Sequence, residues 1–295
     1  MKTLSEQLGF GPDVRVAILH ADDVGMCHAQ NLGFFEVIEA GIVTSGSAMV
    51  PCSWLPEVAA YARHRPGIDL GVHLVLNSEF SGYRWAPVSG AERVPTLVDA
   101  DGYFWPSTSE TLARANPDEV RVELKAQVDR AQASGIDVTH LDAHMGTAMM
   151  FELLPIYVEL GREYRLPVFL PRPTPELLEE VGHPEIVGEL PKILEELDSS
   201  RVLMVDHAEL RSLSFEAEGV EEHYRRVIGE LRVGVTHFLI HPARSDEELE
   251  AITPDSWQQR DAERRTFARP EVASWFRDAG VELIGYRRLR DLIRS

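Results

Sequence analysis

The chain alternates short apolar runs with longer amphipathic stretches over most of its 295 residues, and this alternation limits the folds that it can adopt. Each run is four to six residues long, and several are apolar on both faces. Such runs are typical of strands in a parallel sheet that is covered on both sides. The predicted strands are Val14–Leu19, Ser45–Val50, Asp69–Leu74, Val138–Leu141, Pro167–Leu170, Val202–Val205, Thr236–Ile240 and Val281–Ile284.

Helix-like stretches separate these runs, so the chain consists of repeated strand–helix units. Seven or eight such units in ~250–300 residues predict an α/β fold, and within that class a (β/α) barrel. A doubly wound open sheet is the alternative, but no glycine-rich phosphate-binding sequence follows the first strand. The clearest predicted helices are Asn31–Ala40, Leu55–His64, Pro117–Ser134, Glu152–Arg162 and Glu221–Arg232.

Residues 75–107 depart from this alternation, because they are rich in glycine, proline, serine and aromatic residues and show no helical period. A long loop inside a compact domain is usually functional, and this one leaves the face of the barrel where active sites form. We therefore expect an insertion that covers the substrate, although a surface excursion without function would look the same. No linker divides the chain, so residues 1–295 are predicted to form a single domain.

Charge and composition exclude several classes of partner. The net charge of −19, from 29 Lys and Arg against 48 Asp and Glu, argues against nucleic acid or an anionic membrane. The segment MKTLSEQLGF has no apolar signal-peptide core, and no window approaches the ~18 apolar residues of a membrane span. Cys27 and Cys52 lie outside any metal-binding pattern and favour a reducing compartment, although one disulfide is compatible with them. We expect a cytoplasmic protein, and the sequence leaves its oligomeric state open, a homodimer included.

Side chains of the kinds that bind metals collect at the ends of four predicted strands. Barrel active sites form at these ends, and Asp plus two His with open positions is the composition of a catalytic divalent-metal site. A cation would also let the adjacent carboxylates of Asp22 and Asp23 both stay ionised. The residues at the four strand ends are His20, Asp22, Asp23, His73, His140, Asp142, His144, His237 and His241.

Each of these residues has a plain structural explanation when it is taken alone. Asp22 and Asp23 could cap the helix that begins near His28, His73 could be a hydrogen-bonded core residue, and His241 could cap a loop. Their coincidence on four strands favours a shared site. One carboxylate would bind the metal and the other would take a proton from the attacking water, and a histidine would protonate the leaving group. This pattern predicts a hydrolase, but by itself it does not decide which Asp is the ligand.

Four sequence blocks in this order resemble the YdjC-like (ChbG/HpnK) carbohydrate deacetylase family. They are LHADDVG with the following GIVTS, GVHL, THLDAHMG and LIHPA, and the resemblance runs from about Val14 to Ile284. It implies an irregular (β/α) barrel related in layout to polysaccharide deacetylases. It also implies a divalent metal, Mg²⁺ or Zn²⁺, and the removal of acetyl groups from N-acetylated sugars, so that the partner is a small-molecule sugar substrate.

The resemblance assigns roles to individual residues. Asp23, His73 and His144 match the metal ligands of the family. Asp22 matches the general base, and His241 matches the histidine proposed as the general acid. The remaining candidates contact the substrate or the ligands: Thr44, Ser45, His140, Asp142 and Arg172. Among these, Thr44 and Ser45 could instead cap local structure, and His140 and Asp142 are expected to orient His144.

Several positions depart from the family pattern and put the identity of the sugar in doubt. The usual HxDxHxHxH run is shortened, with Gly146 and Ala148 where further residues of the run would stand. His20 replaces an asparagine, and Ala243 replaces the glycine of HPG. A metal-dependent phosphoesterase, a non-catalytic sugar-binding descendant and a purely structural protein stay open as alternatives. The loop aromatics either stack on sugar rings or close a small core: Tyr83, Trp85, Tyr103, Phe104 and Trp105.

Overall fold

The computed structural model describes residues 3–180, 184–200 and 202–295. The described residues form one sheet of seven parallel strands, and the path β4-β3-β2-β1-β6-β5 runs through six of them. The remaining strand, β7, pairs with the first residues of β1. The strands are β1 (Arg15–Val24), β2 (Ser45–Met49), β3 (Leu70–Leu74), β4 (Val138–Ala143), β5 (His207–Glu209), β6 (Gly234–Ile240) and β7 (Val281–Leu283).

Helices connect the strands and cover the outside of the sheet. Several begin at a side-chain cap; for example, Asn116 accepts a hydrogen bond from the amide of Asp118 in front of Pro117. The helices are α1 (Leu4–Gln7), α2 (His28–Glu39), α3 (Leu55–His64), α4 (Thr108–Leu112), α5 (Pro117–Ala133), α6 (Leu154–Tyr164), α7 (Pro175–Glu180), α8 (Leu190–Ser200), α9 (Val220–Gly229), α10 (Glu247–Ile252), α11 (Trp257–Phe267), α12 (Val272–Asp278) and α13 (Tyr286–Arg294). Short 3₁₀ helices lie at Ala91–Arg93, Pro95–Leu97, His144–Met149, Pro184–Glu189 and Ala217–Gly219.

Irregular chain segments close the sheet into a barrel. The amide of Phe169 donates to the carbonyl of Leu141 on β4, and the amide of Val205 donates to Leu170. The next amide, Asp206, donates to Val235 on β6. Hydrogen bonds therefore run around the ring from β4 back to β6, and the predicted irregular (β/α) barrel is confirmed.

The prediction of regular strands is wrong for two segments, Pro167–Leu170 and Val202–Val205. Each contributes only an isolated bridge, between Leu141 and Val168 and between Pro171 and Val205. Pro167 begins the first segment and Pro171 and Pro173 follow it, and a proline has no amide hydrogen to donate to a neighbouring strand. The short strand β5 was not predicted, because its residues, HAE, carry no apolar pattern.

The central strands of the sheet are buried, which fixes the positions of their ends. Residues 16–21 of β1 are all buried, and so are all five residues of β2 and of β3. Cys27 and Cys52 are free and buried. Within the described part of the chain, none of the helices combines the length and apolarity that a membrane-spanning segment requires.

A glycine on α2 lets the loop that follows β6 pack against this helix. A Cβ built on Gly33 would lie 2.4 Å from the carbonyl oxygen of Pro242, which is far too close. Pro242 follows His241 directly, so the position of His241 depends on this contact.

We predict that Gly33→Ala lowers the free energy of unfolding by about 1–3 kcal/mol, the usual cost of overpacking. Gly229→Ala at the end of α9 is the matched control, because no described atom lies within 4 Å of its Cβ. There the greater helix propensity of alanine should leave stability equal or slightly higher. Urea unfolding of both variants measures the difference, and equal stabilities would contradict the close contact.

Candidate metal centre

A bulge at the end of β1 brings two adjacent aspartates to the same side of the barrel. Neighbouring residues of a regular strand point to opposite faces, but the β1–β2 register shifts between Ala21 and Val24. Asp23 adopts φ = 61°, a left-handed conformation that Asp tolerates better than most residues. Bulges next to active sites often redirect a side chain in this way, and the carboxylates of Asp22 and Asp23 both reach the strand-end site.

Three side chains from different strand ends converge there. His73 ends β3, and His144 follows β4. The Asp23 Oδ1 atom lies 3.5 Å from His73 Nε2 and 3.3 Å from His144 Nδ1. The two imidazole nitrogens are 3.2 Å apart. The structure therefore brings together the three residues that the sequence predicts as ligands.

The spacing of these three atoms fits a divalent ion. Ligand atoms bound ~2.1 Å from one ion, at angles of ~90–110°, lie roughly 3.0–3.4 Å apart. The Asp23 Oδ1 atom is buried and has no hydrogen-bond partner among the described residues. A buried carboxylate oxygen without a donor is costly unless a cation satisfies it. Two nitrogens and one oxygen suit Zn²⁺ and several other metals.

Each of the three side chains is held from behind by a second residue. Asp142 lies 2.8 Å from His73 Nδ1, which leaves Nε2 of this ring to face the site. Glu79 lies 3.0 Å from His144 Nε2. Arg260 donates to Asp23 Oδ2 at 2.8 Å. Such partners fix the tautomer and orientation of metal-binding side chains.

The expectation that His140 and Asp142 orient His144 is wrong in both cases. His140 hydrogen-bonds Thr139 through Nδ1, and its ring stacks on Tyr286 with a centroid distance of 3.9 Å. Asp142 holds His73 instead. Glu79, which the sequence analysis did not single out, holds His144.

A protonated histidine lies between two carboxylates near the three predicted ligands, one of them buried and the other half-buried. His20 Nε2 is 2.8 Å from Asp142 and 3.1 Å from Asp22. Burial alone would lower the pKa of His20, but the two carboxylates raise it to about 9. Burial would raise the pKa of Asp142, but His73 and His20 hold it well below its usual range. Ser45 supports it through a 2.8 Å contact with Nδ1.

The pKa values of the three predicted ligands reflect their mutual contacts. Burial would raise the pKa of Asp23, but Arg260 and the nearby histidines hold it well below its usual range. Burial would lower the pKa of His144, but Glu79 and Asp23 raise it to about 9. The pKa of His73 is also raised well above its ordinary value, against burial, by Asp142 and Asp22.

His241 reaches the site from the loop after β6, and its orientation is fixed by Ser212 and Glu263. The Ser212 hydroxyl donates to Glu263 at 2.7 Å, so the 2.8 Å contact with His241 Nδ1 uses the hydrogen of that nitrogen. His241 Nε2 then faces Asp23 Oδ2 at 4.0 Å. Burial lowers the pKa of His241 to about 4, and the ring is neutral near pH 7.

The other predicted site residues lie farther from the three ligands. The Thr44 hydroxyl donates to the carbonyl of Leu19, which is a structural contact. Arg172 lies on the segment that closes the barrel, where its amide donates to Val205. A substrate contact by Arg172 stays a prediction.

The loop aromatics mainly form a small core. Trp85 and Phe104 are 3% and 0% exposed, and Trp85 Nε1 donates to the carbonyl of Asn77. The hydroxyl of Tyr83 donates to the carbonyl of Met26, and Trp105 packs under Arg114. Tyr103 is 38% exposed and lies under Arg84. These contacts favour the packing explanation over sugar stacking.

Sequence reasoning missed the residues that contact the predicted ligands or their partners: Ser47, Glu79, Ser212, Arg260 and Glu263. The Ser47 hydroxyl donates to Asp142 at 2.6 Å. Arg260 and Glu263 belong to α11, whose sequence WQQRDAERRTF is mostly polar. Both are nevertheless buried, on the same face as Phe267, which was an apolar signal for that face. Glu79 had a usable signal, since it is a carboxylate five residues after the end of β3 on the loop side of the barrel.

Comparison with known proteins agrees with this geometry. The profile of the family described as YdjC-like protein matches residues 16–278. The chain therefore belongs to the YdjC-like protein family, and the resemblance seen in its sequence is confirmed.

Two relatives and one solved structure span nearly the whole chain. A protein of Thermus thermophilus named carbohydrate deacetylase is 36% identical over 91% of this chain and 92% of its own length. One of Thermoanaerobacter pseudethanolicus with the same name is 27% identical, over 94% of this chain and 100% of its own. A crystal structure from Enterococcus faecalis, given a provisional role in cellobiose-phosphate cleavage, has a TM-score of 0.74 at 25% identity. It covers 94% of this chain and 99% of its own.

We predict that Glu79→Gln lowers the pKa of His144 from about 9 towards its ordinary value of 6.5, since Glu79 is the foremost of the groups that raise it. Proton NMR titration of the metal-free protein measures the change. Glu39→Gln, which alters an exposed carboxylate paired with Arg65, is the control and should leave His144 unchanged. An unaltered His144 titration in Glu79→Gln would contradict the contact.

Metal binding is expected to strengthen as the pH rises. His144 holds a proton below about pH 9 and must lose it to coordinate a metal. The apparent affinity for Zn²⁺ should therefore increase at least about tenfold per pH unit between roughly pH 6 and 7.5. Calorimetric titration in buffers of different ionisation enthalpy measures both the affinity and the proton released. A Zn²⁺ affinity that does not change with pH would show that His73 and His144 are both already neutral in the metal-free protein.

Proposed function

We propose that this protein is a metal-dependent hydrolase that removes the acetyl group from an N-acetylated sugar. The observation that carries the proposal is the convergence of Asp23, His73 and His144 at spacings that suit one divalent ion. The names of its curated relatives, carbohydrate deacetylase, support the substrate class. Together they favour amide hydrolysis at an amino sugar.

Asp23, His73 and His144 would hold the metal, with Mg²⁺ or Zn²⁺ as the candidates. When bound, a divalent ion supplies Lewis-acid activation of water and of the acetyl carbonyl. Arg260 keeps Asp23 ionised for this purpose, and Asp142 and Glu79 orient the two rings.

In this proposal, Asp22 takes the proton of the attacking water. One of its oxygens faces His20 at 3.1 Å, and the side chain lines the cavity beside the three ligands. The contact with His20 orients the Asp22 carboxylate, which serves as the general base in this proposal.

In this proposal, His241 protonates the departing amine, although it begins the reaction as a neutral ring. Hydrolysis of the amide moves one proton from water to the leaving nitrogen. His241 therefore acts as an acid only after Nε2 has received the proton that Asp22 removed. Ser212 and Glu263 keep this nitrogen directed at the site throughout.

We predict that purified wild type binds about one divalent ion per chain and releases acetate from N-acetylated sugars. Asp23→Ala, His73→Ala and His144→Ala should lose both the ion and the activity, because each removes one of three ligands. Elemental analysis and an acetate assay on a panel of N-acetylated sugars measure the two properties.

Asp22→Asn and His64→Ala complete this experiment. Asp22→Asn should keep the ion and lose about 10²–10⁴-fold in kcat, the usual contribution of a general base. His64 is exposed at the end of α3, and His64→Ala should change neither property. Metal retained in all three ligand variants would refute the assigned centre, and hydrolysis of aryl phosphates but not of acetamido sugars would make the protein a phosphoesterase.

A further inference from the structure

A cavity of about 690 Å³ opens against the candidate metal centre, and its walls differ sharply in chemistry. Among the described residues that line it, the charged and histidine side chains lie in or beside the metal centre. Thr108 is the one other side chain there with a hydrogen-bonding group, and the lining is otherwise almost entirely apolar. A ligand in this cavity thus meets polar groups at one end only.

The apolar wall comes mainly from the chain between residues 145 and 197. Leu177 and Leu178 on α7 and Ile193 and Leu197 on α8 line the cavity. The spacing of Ile193 and Leu197 puts both on one face of α8. These side chains line the same cavity as Asp23, His73 and His144.

The rim of the cavity is also apolar and partly open to water. Met145 and Phe151 are 55% and 51% exposed, and both line the cavity. They are two of only four large hydrophobic side chains that are exposed in the described residues. Exposed apolar side chains that continue a cavity mark a surface for an apolar ligand.

We infer that the substrate carries an apolar chain next to its acetamido sugar and that this apolar wall binds the chain. Sugar hydroxyls buried against alkyl side chains would lose their hydrogen bonds to water without replacement. An alkyl chain loses nothing by this transfer and is stabilised by burial. The inference rests on the proposed amide hydrolysis for the position of the sugar but not for the chemistry of the wall.

The apolar chain of the substrate could belong to the aglycone of the sugar or to the acyl group on its nitrogen. Methyl and hexyl N-acetyl-β-glucosaminide test the first source, and N-acetylglucosamine and N-hexanoylglucosamine test the second. Calorimetric titration of the full-length metal-free protein measures affinity without turnover, and kcat/KM of the Zn²⁺-loaded protein gives a second readout. Each buried methylene is worth about fourfold in affinity, so burial of two or three gives at least tenfold.

We predict that the six-carbon member of one pair binds at least about tenfold more tightly than its short counterpart. The pair that shows this difference in affinity identifies the part of the substrate that carries the apolar chain. Equal affinities within both pairs would overturn the inference.

Two variants with matched controls locate the effect. Leu178→Asn should reduce the preference for the longer ligand at least threefold, whereas Leu292→Asn on α13, also half-buried, should not. Phe151→Ser repeats the test at an exposed position, where folding is not at stake. Its control is Val233→Ser, which is 47% exposed and precedes β6 at the opposite end of the barrel. If the preference for the longer ligand survives both Leu178→Asn and Phe151→Ser, the apolar chain of the ligand binds elsewhere, and the assignment of this wall as its binding site is refuted.

The two proposals fail in distinguishable ways. Hydrolysis of the short sugars without a preference for the longer ones would leave the deacetylase intact and remove the apolar chain. Tighter binding of a hexyl ligand without hydrolysis of any sugar would support the apolar wall and refute the hydrolase.

Discussion

The structure depends on the neutralisation of three carboxylates that lie together inside the barrel mouth. Asp22, Asp23 and Asp142 would repel one another and lose hydration at this depth. Protonated His20 lies between Asp22 and Asp142, and Arg260 reaches Asp23 from α11. One buried oxygen of Asp23 stays without a donor in the described chain, and a divalent ion would satisfy it. The same arrangement that a stable core requires is therefore one that is suited to hold a reactive metal.

The sequence predicted the class of fold and the central side chains because both depend on short-range patterns. Apolar runs of strand length recur between amphipathic stretches, and a parallel barrel puts all their carboxyl ends at one face. Asp22, Asp23, His73, His144 and His241 could thus be grouped without knowledge of the packing. The choice between the adjacent aspartates came from the family resemblance, because the bulge that brings both carboxylates to one side of the barrel has no sequence period.

The remaining features depend on contacts that a pattern cannot encode. Arg260 and Glu263 come from a mostly polar helix, and the packing of α11 against α2 and α9 makes them internal. His140 stands two residues from Asp142 on β4, yet it packs on Tyr286 and leaves His144 to Glu79. Residues 167–170 and 202–205 were predicted as regular strands because they are apolar, but each forms only an isolated bridge in the closure of the barrel.

The division of the cavity walls has a consequence for how this protein can change over time. The candidate metal centre is assembled from β1, β3, the loops after β3, β4 and β6, and α11, whereas most of the apolar lining comes from residues 145–178 and 186–197. Mutations in these two ranges can alter the shape and polarity of the cavity without replacing any of the predicted metal-binding residues. Descendants of this barrel could therefore acquire new substrates by changes in one part of the chain while they inherit the candidate centre unchanged.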